Sequence, residues 1–263
     1  MTIFAIDFAR LYRDHMVAVG GTKTPEDWNA RADKMNRKQE MGAYETAFVN
    51  HIDFSGCTTL LDVGCGTGNI ALAAAPHLEK VFGLDYSSRM LALFMENARL
   101  QGLDNVTPIE RAWEADWDDV PVCDIAVASR SSAVKDMADA LGRLNAKARR
   151  RVYLTSLAGG RFIDPRILAA VGRERMPLPD YIYIINILYQ MGIHPRLDYI
   201  ETENRLSGST DFNTFSGKVA GILGELTPAE EEKLKSWYDA DPKRAQQGGE
   251  PFRWALVSWE KTI

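Results

Sequence analysis

The residues best placed to do chemistry lie in one short run, Leu60-Leu61-Asp62-Val63-Gly64-Cys65-Gly66-Thr67-Gly68-Asn69. Its glycines alternate between an apolar, β-rich stretch and Ile70–Ala75, which reads as helix. Glycine at a strand-to-helix turn removes side chains where backbone must come close to a ligand. A dinucleotide fingerprint would need its third glycine at position 69, where this chain has Asn69, and no phosphate loop of the Gly-Lys-Ser/Thr type is present. Asp62 ends the strand just ahead of the loop, where a carboxylate repels pyrophosphate and attracts an ammonium or sulfonium group. A second acid, Asp85, ends the next strand, Val81–Asp85, and can accept hydrogen bonds from both hydroxyls of a ribose. The pattern asks for a ligand with a ribose, a positive group nearby and no phosphate.

S-adenosylmethionine meets that description, and here the sequence resembles the class I S-adenosylmethionine-dependent methyltransferases. The resemblance is carried by Asp62-Val63-Gly64-Cys65-Gly66-Thr67-Gly68, by Leu84-Asp85-Tyr86-Ser87 and by Cys123-Asp124-Ile125-Ala126-Val127-Ala128-Ser129. These segments fall in the family's order and spacing, and the likeness extends over roughly residues 40–160. It implies that Gly64, Gly66 and Gly68 let the loop run beneath the methionine portion of the cofactor. Asp62 would act on the amino group, directly or through water. Asp85 would hold the ribose, Tyr86 would pack against the adenine, and Ala112-Trp113 would meet the adenine edge. Cys65 and Ser129 complete the expected cofactor-binding set. The family also implies a seven-stranded sheet with an antiparallel last strand, a place that Trp254–Trp259 fits.

In open α/β sheets ligands bind at the carboxyl ends of the strands. Ser129-Arg130-Ser131-Ser132 leaves the fourth strand at that edge, where the methyl group should point. Family members that methylate amide or ring nitrogens often carry an Asn/Asp-Pro-Pro-aromatic motif there. Its absence argues against nucleobase N-methylation and glutamine methylation. Arg130 and Tyr44 are the catalytic candidates, Arg130 being equally readable as a surface cation or a helix-end partner; Thr155 and Ser156 stand behind them. In-line transfer from a sulfonium draws much of its acceleration from proximity and alignment, so a dedicated base is optional. His15, His51, His77 and His194 sit at no motif and read as structural or exposed, and no metal site is expected. The favoured acceptor is a small molecule. The alternatives are methyl transfer to RNA or protein, a cofactor-binding protein without catalysis, and aminopropyl transfer, which usually wants extra acids that the fourth-strand edge lacks.

The elements that must position these residues alternate strand and helix. Strands are expected at 58–63, 81–85, 106–110, 124–129 and 152–156, with helices after the glycine loop, from Ser87 to Gly102, and around 135–146. That order predicts a doubly wound, mostly parallel seven-stranded sheet of Rossmann-like methyltransferase type. Ahead of it lies an N-terminal helical lid, residues 1–56, with one helix over 3–18 and a second opening at Thr24-Pro25-Glu26-Asp27 and continuing to about Asn50. Trp28, Arg31 and Met35 share helical spacing, Trp28 being read as an anchor that packs the lid onto the sheet. The catalytic domain, 57–263, carries a helical insertion near 205–245. There a capping box at Thr227-Pro228-Ala229-Glu230 starts a helix. Further expectations are a helix at 180–191, a strand at 197–202 and a closing strand at 252–259. Residues 160–225, with Tyr181, Tyr183 and Tyr189, should form the other wall of the site, and Gln246–Gly249 reads as a mobile loop.

Composition sets the outer limits. With 263 residues, 46% of them hydrophobic, the chain can bury a large core without disulfides or metals. Its net charge of -5 argues against a standing role on nucleic acid. Lys147, Arg149, Arg150 and Arg151 cluster, but the run reads as the solvated end of a helix. Cys57, Cys65 and Cys123 share no ligand spacing and read as buried hydrophobes of a reducing compartment. The opening residues do not read as a signal peptide, no stretch approaches a membrane span, and the expected address is the cytoplasm. The oligomeric state is not expressed in the sequence.

Overall fold

A computed structural model describes residues 2–36 and 41–261. Seven strands form one sheet: β1 Thr59–Val63, β2 Lys80–Asp85, β3 Val106–Glu110, β4 Cys123–Ala128, β5 Ala148–Leu157, β6 Arg196–Thr202 and β7 Phe252–Glu260. Their order is β3-β2-β1-β4-β5-β7-β6. The β1–β5 pairings are parallel, while β7 runs antiparallel to both β5 and β6. This is the doubly wound, seven-stranded Rossmann-like arrangement that the alternation of elements predicts. The chain reverses its direction of travel across the sheet between β1 and β4, which opens a crevice at their carboxyl ends.

Among the described residues a 3-10 turn at Ile3–Ala5 and four α-helices precede the sheet: α1 Phe8–Ala18, α2 Pro25–Asn29, α3 Ala32–Met35 and α4 Ala43–Asn50. Between strands run α5 Asn69–Ala74, α6 Ser88–Leu100, α7 Met137–Lys147, α8 Pro165–Val171 and α9 Tyr181–Gln190. The insertion between β6 and β7 holds α10 Phe212–Leu223, α11 Pro228–Ala240 and α12 Pro242–Gln247. Alternate strand residues serve opposite faces. Leu60, Ile125, Val127 and Leu256 pack with Phe48, Ile70 and Phe94 on one side. Leu61, Ala126, Ala128 and Val257 pack with Tyr12, Met16, Leu141, Leu144 and Ile184 on the other. The insertion builds a satellite core of its own, in which Phe215, Val219, Leu234 and Tyr238 close on Ile167 and Leu168 of α8.

Several details differ from the sequence reading. The first helix begins at Phe8, because the Asp7 side chain accepts the Arg10 amide and caps it there. The stretch from Thr24 to Asn50 is three short helices, and residues 37–40 of that expectation lie outside the described residues. Trp28, Arg31 and Met35 therefore share no continuous helix. Trp28 nevertheless packs against Ala32, Met90 and Leu93, as an anchor should. Lys147 does end a helix, α7, but Arg149, Arg150 and Arg151 lie on β5, which begins at Ala148. Arg149 pairs with Asp124, and Arg151 with Asp53 and Glu260. Gln246 and Gln247 belong to α12 rather than to a loop. The glycines after them are packed: a methyl on Gly248 would meet the Ser207 amide nitrogen at 2.5 Å, and one on Gly249 would meet an Asp164 carboxylate oxygen at 2.7 Å. The Thr227 capping box forms as expected.

Candidate active site

The glycine loop joins β1 to α5 at the crevice. Gly64, Gly66 and Gly68 all adopt positive φ, at +70°, +55° and +90°. Their surroundings divide them. A methyl on Gly64 would meet the Ser131 side chain, with Oγ at 2.9 Å, and one on Gly68 would strike the Phe94 ring, with Cε2 at 2.8 Å. At Gly66 the nearest atom is the Met90 sulfur, at 4.0 Å. So two of the three glycines expected to clear room for a ligand are required by protein packing, and Gly66 alone faces open space. Cys65 is buried, and burial holds its thiol well above the usual range, so it stays protonated and unreactive.

Asp62 and Asp85 stand on either side of this loop. Asp62 is 1% exposed; one oxygen accepts the Ala71 amide of α5 at 3.1 Å, and the other, Oδ1, has no partner. Burial first, and the neighbouring Asp85 charge after it, push the Asp62 carboxyl up to about 7 against the pull of the Ala71 amide. Asp85 is also buried, and its Oδ2 and Oδ1 accept the Gly66 and Ser87 amides, each at 2.9 Å. Burial raises its pKa, and those amides partly offset the rise. A carboxylate offers about four lone-pair sites, so two remain to meet hydroxyl groups. The residues present fit S-adenosylmethionine: an orphaned anionic oxygen for an ammonium group, a half-satisfied carboxylate for a ribose, and a glycine with clear space above it.

The residues that the resemblance assigns to the adenine lie around the end of β2. The Arg111 amide donates to the Asp85 carbonyl at 2.9 Å, which sets Ala112 and Trp113 beside Asp85 and Tyr86. The Tyr86 hydroxyl donates to the Lys23 carbonyl at 3.0 Å. Trp113 lies 5.4 Å from Trp117, ring centre to ring centre, and is half-buried against the core.

On the β4 side Ser129, Arg130 and Tyr44 meet in one network. The Tyr44 hydroxyl lies 2.9 Å from Ser129 Oγ and 2.7 Å from Thr155 Oγ1, which also accepts the Arg130 amide at 3.0 Å. Burial pushes the Tyr44 phenol above its ordinary value, although the Arg130 charge pulls it back. A phenol raised in this way keeps its proton. Arg130 sits 4.0 Å over the Tyr44 ring and pairs at 2.6 Å with Glu45, which is 1% exposed. Among the described residues Arg130 is also the one non-glycine with positive φ, +56°. Sequence reading did not single out Glu45, although it adjoins Tyr44. Nor did it single out Ser131, whose hydroxyl donates to the Val63 carbonyl at 2.6 Å and fastens this turn to β1. His15 is structural, bridging the Tyr183 hydroxyl and the Pro177 carbonyl.

A cavity of about 60 Å³ opens beyond Thr155 and Arg130, lined also by Tyr12, Ser132, Phe162, Asp180 and Trp254. The Asp180 Oδ2 accepts the Gly159 amide at 2.9 Å, while its Oδ1 is buried without a partner. The segment from Arg173 to Asp180 crosses this side of the site. It is held down at Leu178, whose amide donates to the Gly160 carbonyl at 2.9 Å. No helix among the described residues is long and apolar enough to cross a membrane.

Comparison with known proteins bears on the fold and the family. An uncharacterized protein of Haemophilus influenzae is 37% identical over 267 residues, spanning 98% of each chain. Magnesium protoporphyrin IX methyltransferase from Synechocystis, solved with bound S-adenosylhomocysteine, shares the fold at a TM-score of 0.56 and 12% identity, over 97% of this chain and all of that one. Phosphoethanolamine N-methyltransferase 2 of Haemonchus contortus, solved with S-adenosylmethionine, gives a TM-score of 0.55 at 16% identity, over 98% of this chain and 61% of that one. The family described as "Methyltransferase domain" matches residues 60–150. That match runs from β1 to the start of β5, the half of the sheet that carries the glycine loop and both acids, and it identifies this part of the chain as a methyltransferase domain.

Proposed function

We propose that the chain moves the methyl group of S-adenosylmethionine onto a small-molecule acceptor seated against the carboxyl ends of β4 and β5. The observation that carries this reading is the unpartnered, buried Oδ1 of Asp62 beside a loop glycine with open space above it. A buried carboxylate oxygen without a donor costs stability, and a cationic group placed against it removes the cost. When bound, the cofactor supplies a sulfonium-activated methyl group, so the chain's own task is alignment and exclusion of water.

Each residue then has a physical role. Asp62 holds an ammonium group and Asp85 two ribose hydroxyls, while Tyr86, Ala112 and Trp113 flank the adenine. Ser129 and Tyr44, locked by Thr155, form the firm wall behind the reacting atoms. Arg130 holds Tyr44 and Glu45 in register. Asp180 Oδ1, in the adjoining cavity, can accept a hydrogen bond or a proton from the acceptor. The partly enclosed cavity and the acidic net charge support a small acceptor over a nucleic acid. The α2–α3 segment is proposed as the cover over the cofactor.

Calorimetric titration with S-adenosylmethionine, S-adenosylhomocysteine and NAD tests the cofactor site. The first two should bind and NAD should not. Loss of charged hydrogen bonds at about 1.5–3 kcal/mol should weaken Asp85→Ala by at least tenfold. Release of S-adenosylhomocysteine, followed over small-molecule extracts, RNA and protein fractions, tests the acceptor. Turnover confined to the RNA or protein fraction would remove the small-molecule assignment.

A further inference from the structure

The cavity beyond Thr155 is lined by two charged side chains, Arg130 and Asp180, and their surroundings differ. Arg130 is neutralised: its guanidinium pairs with Glu45 at 2.6 Å and lies over the Tyr44 ring. Asp180 has no such partner. Among the described residues no lysine, arginine or histidine nitrogen comes within 4 Å of its carboxylate. Its Oδ2 accepts the Gly159 amide at 2.9 Å, and its Oδ1 is buried without a donor. With Glu45 set against Arg130, the charge left over at the cavity is the negative one of Asp180.

Asp180 also forgoes the bond that its place in the chain offers. It precedes α9 at the position where aspartate normally accepts an amide of the first helical turn. Asp7, Asp136, Asp164 and Asp211 do so at α1, α7, α8 and α10, whereas the Asp180 side chain caps nothing. It turns instead to Gly159, in the turn that follows β5. Much of the remaining lining is apolar or aromatic, with Tyr12, Met16, Leu157 and Trp254. An ammonium suits such a place, since a carboxylate pairs with its charge and aromatic rings attract it. A carboxylate would be repelled there, and an alcohol would leave the Asp180 charge uncompensated. Size limits what enters: at about 60 Å³ the cavity is less than half of one that encloses benzene, about 150 Å³. It takes the head of a molecule, an amino group with a few carbons, rather than a ring.

We propose that Asp180 is the specificity-determining residue of this cavity, and that the methyl acceptor is a small amine whose ammonium head it holds. This rests on the methyl-transfer reading and names its substrate class. Thr155 and Arg130 line the same cavity, and Thr155 meets Ser129 through the Tyr44 hydroxyl. A molecule anchored at Asp180 therefore lies beside the wall assigned to the reacting atoms.

The test is ligand-detected NMR titration of the full chain, with and without S-adenosylhomocysteine, against propylamine, propanol and propionate. The three probes share a length and differ in charge. Wild type should bind propylamine about fivefold more tightly than either of the others, with affinity falling as salt rises. Asp180→Asn keeps an oxygen for the Gly159 amide and loses the charge. It should bring propylamine down to the level of propanol, while S-adenosylhomocysteine affinity stays within about twofold. Ser156→Val adds bulk to the β5 side of the cavity, leaves Asp180 in place and should weaken propylamine clearly. No binding of propylamine by wild type, or equal binding of the three probes, overturns the proposal. A preference for propionate overturns it in favour of Arg130 as the anchor. Selectivity that survives Asp180→Asn also overturns it, as does propylamine binding untouched by Ser156→Val, which would put the amine elsewhere. Should Asp180→Asn fail to fold, the wild-type ranking and Ser156→Val still decide. Failure of wild type to bind S-adenosylhomocysteine at all would sink the methyltransferase reading, while the titrations without it still read the amine site on its own.

Discussion

Replacing Asp62 with asparagine should make the ligand-free protein more stable and a poorer binder of its cofactor. The folded protein holds the Asp62 proton until about pH 7, whereas an unburied aspartate gives it up near 3.8. Between those values the native state binds a proton that the unfolded chain has lost, so this one group makes stability fall as pH rises. At about 1.4 kcal/mol per pH unit the loss amounts to about 4 kcal/mol, an upper figure because a buried site relaxes. The asparagine side chain would keep an acceptor for the Ala71 amide and carry no charge to bury. Urea unfolding from pH 5 to 8 should therefore show the Asp62→Asn variant pulling ahead of wild type as pH rises, and holding that lead above pH 7. The same group predicts proton release on binding. An ammonium placed against Oδ1 favours the ionised form, so near pH 7 up to about half a proton should leave per cofactor bound. Calorimetry of S-adenosylhomocysteine binding in two buffers of different ionisation enthalpy measures it. Parallel stability profiles for the two proteins, with no proton released on binding, would refute the reasoning.

Two further substitutions probe the framework of the site. Removing Arg130 leaves Glu45 buried and uncompensated, so Arg130→Met should cost about 3–5 kcal/mol and the Glu45→Gln/Arg130→Met double variant clearly less than the sum of its parts. Additive effects in urea unfolding would show that the pair is not coupled. Gly68→Ala and Gly66→Ala should separate packing from binding. The first combines left-handed strain with a clash against Phe94, at about 2–5 kcal/mol of stability, and the second should cost only about 1–2 kcal/mol but weaken cofactor binding markedly. Equal melting temperatures for the two would contradict the division of roles.

Legibility in the sequence followed the range of the interactions. The strands of the parallel half read clearly because each is a short apolar run followed at once by turn residues, and Asp62 and Asp85 could be placed because they end such runs. The helices before β1 did not, since Trp28, Arg31 and Met35 have continuous helical spacing although the chain breaks between α2 and α3. Lys147 does end a helix, but Arg149 to Arg151 read as its continuation for a similar reason: nothing local shows that Asp53, Asp124 and Glu260 come round to pair with a strand. At the site, Tyr44, Ser129 and Arg130 could be named singly. The Tyr44 hydroxyl joins Ser129 and Thr155 from 85 and 111 positions away, beyond the reach of any spacing rule.

The two acids beside the glycine loop are under different pressures. Asp85 fastens the Gly66 and Ser87 amides whether or not a ribose is present, so a descendant that had abandoned the cofactor would still need it to keep its loop closed. Asp62 has an oxygen that none of the described residues satisfies, and in such a descendant it would be a burden that drift could shed by a single change to asparagine. On the proposed reading, a relative that kept Asp85 would thereby record a shape, and one that kept Asp62 would record a use.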